Sequence, residues 1–239
     1  HNDYWFFEPD FRVDNDYIES TQTSVYKNAK ISVLIVGYSR PEGAMRCVTS
    51  ARLTADRPEL VEIMVVTDES DPLSERYKNL PETNSFIITQ HETSKKWNHL
   101  YSKCAGDIIV MVADDVIFES RGWDELLRRA WPDDGIAVMF SDNGDGFELL
   151  EFPVISRKIA ESLGYAAYPG LHHVGLDSWW EIIGKNLGRL YYLGDVWKLR
   201  HEHYEVSHVH NRRDRKGVNM IRDYEHLILE ETEKLRREM

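Results

Sequence analysis

Gly106-Asp-Ile-Ile-Val-Met-Val-Ala-Asp-Asp-Val-Ile-Phe118 sets six consecutive apolar residues, Ile108 to Ala113, directly ahead of two carboxylates. An apolar run of that length without polar alternation reads as a strand covered on both faces, the pattern of a central strand in a parallel sheet. Asp114 and Asp115 then fall where the strand runs out, at the carboxyl edge where open α/β sheets place their ligands. Adjacent carboxylates raise each other's cost of ionisation unless a cation lies between them, so the pair reads as a seat for a divalent metal. The plainer reading is that Asp114 caps the next element or opens a turn.

Working outward, Ile31-Ser-Val-Leu-Ile-Val36 is a β-branched run closed by the turn chemistry of Gly37-Tyr-Ser-Arg-Pro41. A helix follows from about Pro41, with apolar residues at Ala44, Cys47, Val48, Ala51 and Leu53. Residues 61–66 give a second strand, closed by Thr67-Asp-Glu-Ser-Asp-Pro72, and 85–89 a short third; a helix over 94–105 leads back to the opening stretch. Strand, helix, strand, strand, helix, strand is the alternation of a mostly parallel central sheet flanked by helices, an α/β fold.

Downstream, the sequence predicts a helix over 122–130, a strand over 136–140, a strand over 152–155 running into a helix over 156–163, and a loop over 165–177. A helix over 178–187 carries Trp179 and Trp180, and strands over 190–193 and 196–199 follow. Apolar residues at Ile221, Leu227, Leu229 and Leu235, set among many charges, read as a surface helix. Three parts result: an irregular N-terminal arm over 1–29 whose Trp5, Phe6 and Phe7 pack onto the main domain, a principal domain over 30–210, and a C-terminal helical extension over 211–239.

The chain has 239 residues, 42% of them hydrophobic and 29% charged, as in ordinary globular proteins. The formal net charge of −12 argues against broad binding to a phosphate backbone, which sums many Lys and Arg contacts. Arg212, Arg213, Arg215 and Lys216 form a short basic cluster, as do Lys95 and Lys96; such runs are commonly solvated faces. Cys47 and Cys104 lie inside regular elements without metal-type spacing and read as buried reduced thiols. No apolar run has the length of a spanning helix, and the N-terminal residues lack the basic flank and sustained apolar segment of a secretory signal. A cytoplasmic protein is the expectation.

The order of these signals resembles the family 2 inverting glycosyltransferases, the nucleotide-sugar enzymes with the GT-A fold. The resemblance spans residues 31–203. It rests on Ser32-Val-Leu-Ile-Val-Gly-Tyr-Ser-Arg40, on Val65-Val-Thr-Asp-Glu-Ser-Asp71, on Asn98 ahead of Ala105-Gly-Asp107, on Asp114-Asp115 preceded by Ala113, on Gly175-Leu-Asp177, and on His201-Glu-His203.

The resemblance implies a metal-dependent transfer of a hexosyl or pentosyl group from a UDP- or GDP-linked donor to a hydroxyl acceptor, with Mn²⁺ or Mg²⁺ as cofactor. It places Asp115 on the metal with His201 or His203, and Asp114 nearer the ribose or in the layer behind the metal ligands. Two His at i and i+2 point to one side of an extended segment, a usable metal geometry, although surface histidines explain them as well. Asp177 matches the general base, while an Asp ahead of Ser178-Trp-Trp-Glu181 is also good capping chemistry. Asp68 matches the residue that binds the nucleotide base, flanked by Tyr38 and Arg40, with Lys96 and Asn98 also facing the nucleotide. Asp142, Asn143 and Asp145 are placed toward the donor sugar, and His173, Trp179 and Trp180 toward a sugar or base platform. The acceptor is a glycan or a hydroxymethylated nucleobase in DNA, the latter disfavoured by the acidic net charge. A nucleotidyltransferase, or an inactive nucleotide- or sugar-binding module of the same fold, are the competing readings; against the first, no glycine-rich phosphate loop follows the first strand.

Overall fold

The computed structural model describes residues 8–21, 25–143, 150–202 and 223–239. Among them an eight-stranded sheet runs in the order Phe11–Arg12, Leu190–Tyr192, Val138–Phe140, Val154–Ser156, Ile108–Ala113, Ile31–Val36, Val61–Asp68, Asn84–Ile88. Its centre is β5 (Ile108–Ala113) beside β2 (Ile31–Val36), continued by β3 (Val61–Asp68) and β4 (Asn84–Ile88), all parallel. On the other side β8 (Val154–Ser156) pairs antiparallel with both β5 and β7 (Val138–Phe140). Two reversals restore the direction, so β7 and its parallel neighbour β9 (Leu190–Tyr192) point the same way as β5. The sheet is mostly parallel, as the alternation of elements predicts.

The apolar run that opens β5 is buried on both faces because alternate side chains enter two different cores. Ile108, Val110 and Val112 join Ile31, Val33 and Ile35 beneath α2 (Pro41–Thr54) and α5 (Trp123–Ala130). Ile109 and Met111 join Leu34, Met64 and Val66 beneath α4 (Thr93–Tyr101), α6 (Arg157–Leu163) and α7 (Leu176–Leu187). α3 (Ser74–Tyr77) is a single turn that buries Tyr77.

Register decides where the sheet ends. Val36 pairs with both Val66 and Ala113, so Gly37 and Asp114 leave their strands at one edge, and the last residues of β3, Thr67 and Asp68, reach past it beside β4. α4 precedes β5, and α7 precedes β9 by two residues. In such crossovers the helix runs back against the strand it feeds, so both helices start at this same edge. β10 (Leu199–His201) forms a second, two-stranded antiparallel sheet with β6 (Val116–Phe118), placing His201 opposite Val116.

Several local expectations change. Residues 8–21 carry β1 (Phe11–Arg12), parallel to β9, and α1 (Asn15–Ser20), capped by the Asp14 carboxylate on the Tyr17 N–H, where the sequence suggested an irregular arm. The strand expected over 196–199 starts later, because the Val196 and Trp197 N–H groups both turn back onto the Leu193 carbonyl and Trp197 is drawn into the core. The C-terminal helix α8 (Glu225–Glu238) is the surface helix expected, packing Ile228, Thr232 and Leu235 against α6 and α7 while Leu229 stays exposed. Trp5, Phe6, Phe7, Asp145, His203 and the Arg212–Lys216 cluster lie outside the described residues.

Candidate active site

The turn after β2 is built for close approach. A Cβ on Gly37 would lie 2.5 Å from a ring carbon of Tyr77, and one on Gly43, in the first turn of α2, would lie 2.7 Å from the Asp114 carbonyl oxygen. Only glycine lets the helix and the tyrosine press so tightly on the Asp114–Asp115 turn. Ser39 sits at φ +56°, an uncommon conformation for a residue with a side chain. It is held there by the Asp71 carboxylate, which accepts from the Ser39 N–H at 2.6 Å and from Thr67 Oγ1 at 3.0 Å.

Asp114 is wholly enclosed. Its Oδ2 accepts from the Tyr38 N–H and the Tyr77 hydroxyl, each at 3.0 Å, and Arg40 Nη2 lies 2.6 Å from Oδ1. Burial pushes its carboxyl up to about 6, with the neighbouring Asp115 charge adding to the rise and Arg40 and Tyr38 opposing it. Of the two places expected for it, near a ribose or behind the metal ligands, Asp114 takes the second: it faces protein donors and fixes the β2 turn.

Asp115 meets Arg40 on one side and His201 Nε2, at 3.3 Å, on the other. Burial raises its carboxyl, but the His201 bond and charge and the Arg40 charge outweigh it and hold the group below the usual range. The backbone secures this arrangement: the Glu202 N–H donates to the Asp115 carbonyl at 2.9 Å, and the His201 N–H to the Asn143 carbonyl at 3.1 Å. Glu151 Oε2 lies 3.3 Å from His201 Nδ1, and the Phe152 ring packs edge-on against the imidazole. Burial lowers His201, yet the contacts with Asp115 and Glu151 prevail and raise it to about 9.

This shift predicts a pH dependence. Because the folded chain binds the His201 proton more tightly than the unfolded chain, the stabilisation is complete below about pH 6.5 and is lost as pH rises toward 9, up to about 3 kcal/mol. Urea unfolding of the metal-free protein across that window should show the fall, and His201→Gln should flatten it. An unchanged slope in the variant would place the titration elsewhere.

A carboxylate on one imidazole nitrogen with the other nitrogen aimed at Asp115 is how metal-binding histidines are commonly oriented. The carboxylate and imidazole donors suit Mn²⁺, and Mg²⁺-type sites take their remaining ligands from phosphates and water. Asp115 and His201 thus fit a divalent ion. Among the described residues no group of three or more His, Cys, Asp or Glu side chains forms a closed metal site.

Asp68, at the end of β3, and Lys96, on α4, form a buried pair at 2.6 Å. Lys96 Nζ also reaches the Gly37 carbonyl at 3.4 Å and stands 5.5 Å from the Tyr38 ring centroid. Tyr38 is half exposed. Asn98 is spent on structure: its Oδ1 accepts from the Ala166 and Ala167 N–H groups, both at 2.9 Å, and its amide donates to the Ala167 carbonyl at 2.6 Å. With Thr93 Oγ1 2.7 Å from His173 Nδ1, this ties the 165–175 loop to the start of α4.

That loop delivers Asp177, in the first turn of α7 behind the N-cap Gly175, partly exposed and with Oδ1 accepting from the Ser178 N–H at 2.8 Å. Trp179 and Trp180 correct the expectation of a sugar platform. Both are closed into the core, Trp179 stacked on Tyr168 at 4.1 Å and Trp180 bonded to the Ala166 carbonyl at 2.9 Å. Asp142 lies in the strand-end bridge to Lys198, with its carbonyl accepting from the Leu199 N–H at 2.8 Å.

Sequence reasoning missed Tyr77, Glu151 and His91. None stands in a motif: Tyr77 and Glu151 act through tertiary contacts, and His91 follows a short strand. Asp71 was visible in the Asp68-Glu-Ser-Asp71 turn but without a role.

No protein-family model and no curated protein matches the chain. Solved structures do. The mannosyltransferase PcManGT from Pyrobaculum calidifontis, in complex with GDP-Man and Mn²⁺, superposes with a TM-score of 0.59 at 15% identity over 77% of this chain and 61% of that one. S. aureus TarS 1-349 with UDP gives 0.56 at 15% identity over 72% and 60%, and with UDP-GlcNAc 0.53 at 15% over 72% and 58%. The chain thus has the fold of these glycosyltransferases and spans about three fifths of their length.

Proposed function

We propose that the chain is a metal-dependent, inverting glycosyltransferase that moves a sugar from a UDP- or GDP-linked donor to a hydroxyl acceptor. The observation that carries this reading is the Asp115–His201 contact at 3.3 Å, beside the sheet edge where β3 ends in Asp68. The fold is shared with proteins solved holding GDP-Man, UDP and UDP-GlcNAc.

In this reading Tyr38 and the Asp68 region receive the nucleoside, and Arg40 faces the diphosphate. Asp115 and His201 would hold the Mn²⁺ or Mg²⁺. When bound, the ion offsets the negative charge that gathers on the nucleoside diphosphate as the glycosidic bond breaks. Arg40, with a side chain 47% exposed and paired with Asp114 and Asp115, adds a cation beside the same phosphates. Asp177 takes the proton from the acceptor hydroxyl while that oxygen attacks the anomeric carbon and the diphosphate departs with the bonding electrons. One displacement inverts the anomeric centre.

The acceptor remains a class, a hydroxyl on a glycan or on a hydroxymethylated base. Among the described residues no helix is long and apolar enough to cross a membrane. The test is release of nucleoside diphosphate from a panel of nucleotide sugars, with Mn²⁺ and a mixture of hydroxyl acceptors. Acceptor-stimulated release supports transfer; binding without release in any combination would favour the inactive binding module.

A further inference from the structure

The Asp68 carboxylate is matched by sequence to a group that accepts from a nucleobase N–H, but folding leaves it no open face. Its side chain is 1% exposed. Oδ2 takes Lys96 Nζ; Oδ1 takes the Ser70 N–H at 3.1 Å, the Ser70 hydroxyl and His91 Nδ1 at 3.0 Å. The side chain of His91 is by contrast 63% exposed. It stands at the end of the β4 loop, beside the start of α4.

An ionised carboxylate only accepts hydrogen bonds. Burial works against ionisation of Asp68, but the bonds from Lys96, Ser70 and His91 prevail and lower its pKa to about 2. The hydrogen of the Asp68–His91 bond therefore sits on Nδ1. A neutral imidazole that donates through Nδ1 has its lone pair on Nε2. The acceptor function is thereby passed from a buried carboxylate to an exposed ring nitrogen.

We infer that His91 is the base-reading residue of the donor site, its Nε2 accepting from a ring N–H of the nucleobase, with Asp68 as the positioning residue that fixes its tautomer. The inference rests on the nucleotide-sugar reading given above. Uracil and guanine carry such a ring N–H; cytosine and adenine do not. The half-exposed Tyr38 ring, joined to the same buried pair through Lys96, supplies a face for the base.

The experiment is calorimetric titration at a fixed, mildly alkaline pH. The ligands are UDP and GDP with Mn²⁺, then the ring-N-methylated form of whichever binds more tightly. The parent chain should lose about tenfold in affinity on methylation, the value of one unpaired hydrogen bond. His91→Phe, which keeps a ring and removes the acceptor, should bind both forms equally at the weaker affinity, and Asp68→Asn should shrink the ratio. A parent chain that binds both forms alike, or a His91→Phe chain that keeps the parental ratio, overturns the role of His91 while leaving nucleotide binding intact. A parent chain that binds neither UDP nor GDP removes the donor site itself.

Discussion

Asp177→Asn is expected to lower the rate of sugar transfer by about 10²–10⁴, the usual contribution of a positioned general base, while donor affinity stays within about twofold of the parent. The geometry makes this substitution clean. Asp177 Oδ1 accepts from the Ser178 N–H at 2.8 Å, a bond that an asparagine oxygen can keep. The helix it begins is anchored by the buried Trp179 and Trp180 and closed by Gly188 in the left-handed conformation, so the backbone has no reason to move. Loss of a proton acceptor needed only as the bond forms appears in kcat, and loss of ground-state contacts in KM. Steady-state kinetics with the identified donor therefore decide the matter: a fall confined to KM, or none, would take the base role from Asp177.

Asp115→Asn is expected to abolish the Mn²⁺-dependent part of nucleotide affinity and to lower transfer by about 10²–10³, the usual cost of removing one electrostatic partner of a developing charge. The fold should survive. β6 and β10 pair through their backbones, and the Glu202 N–H uses the Asp115 carbonyl, which the substitution leaves in place. What changes is charge: Arg40 and His201 lose a shared counter-ion, so the imidazole should titrate lower. The paired readout is nucleotide titration with and without Mn²⁺ and the NMR titration of His201. A variant whose nucleotide affinity still rises with Mn²⁺ would place the ion elsewhere.

The sheet was legible because its central strands are coded twice, by the unbroken apolar run at 108–113 and the β-branched run at 31–36, and by the turns that end them. The in-register ends of β2, β3 and β5 then bring Tyr38, Asp68 and Asp114 to one edge, as the motif order implied. Side-chain exposure was less legible. Trp179 and Trp180 look the same in sequence whether they line a cleft or fill a core, and helical spacing around them turned both inward. Asn98 and Asp114 are polar residues in the expected places whose hydrogen bonds are taken by backbone and by Tyr38, Tyr77 and Arg40. The His201 partner Glu151 lies fifty positions away with no periodic signal, so only folding reveals it.

Nucleoside diphosphate release separates a transferase from a binding module of the same fold. The purified chain is incubated with UDP- and GDP-sugars, Mn²⁺ and hydroxyl acceptors, and release is compared with Asp115→Asn and Asp177→Asn. Acceptor-stimulated release from one donor class by the parent chain, and its loss in both variants, is the expected result. Release that persists undiminished in both would contradict it.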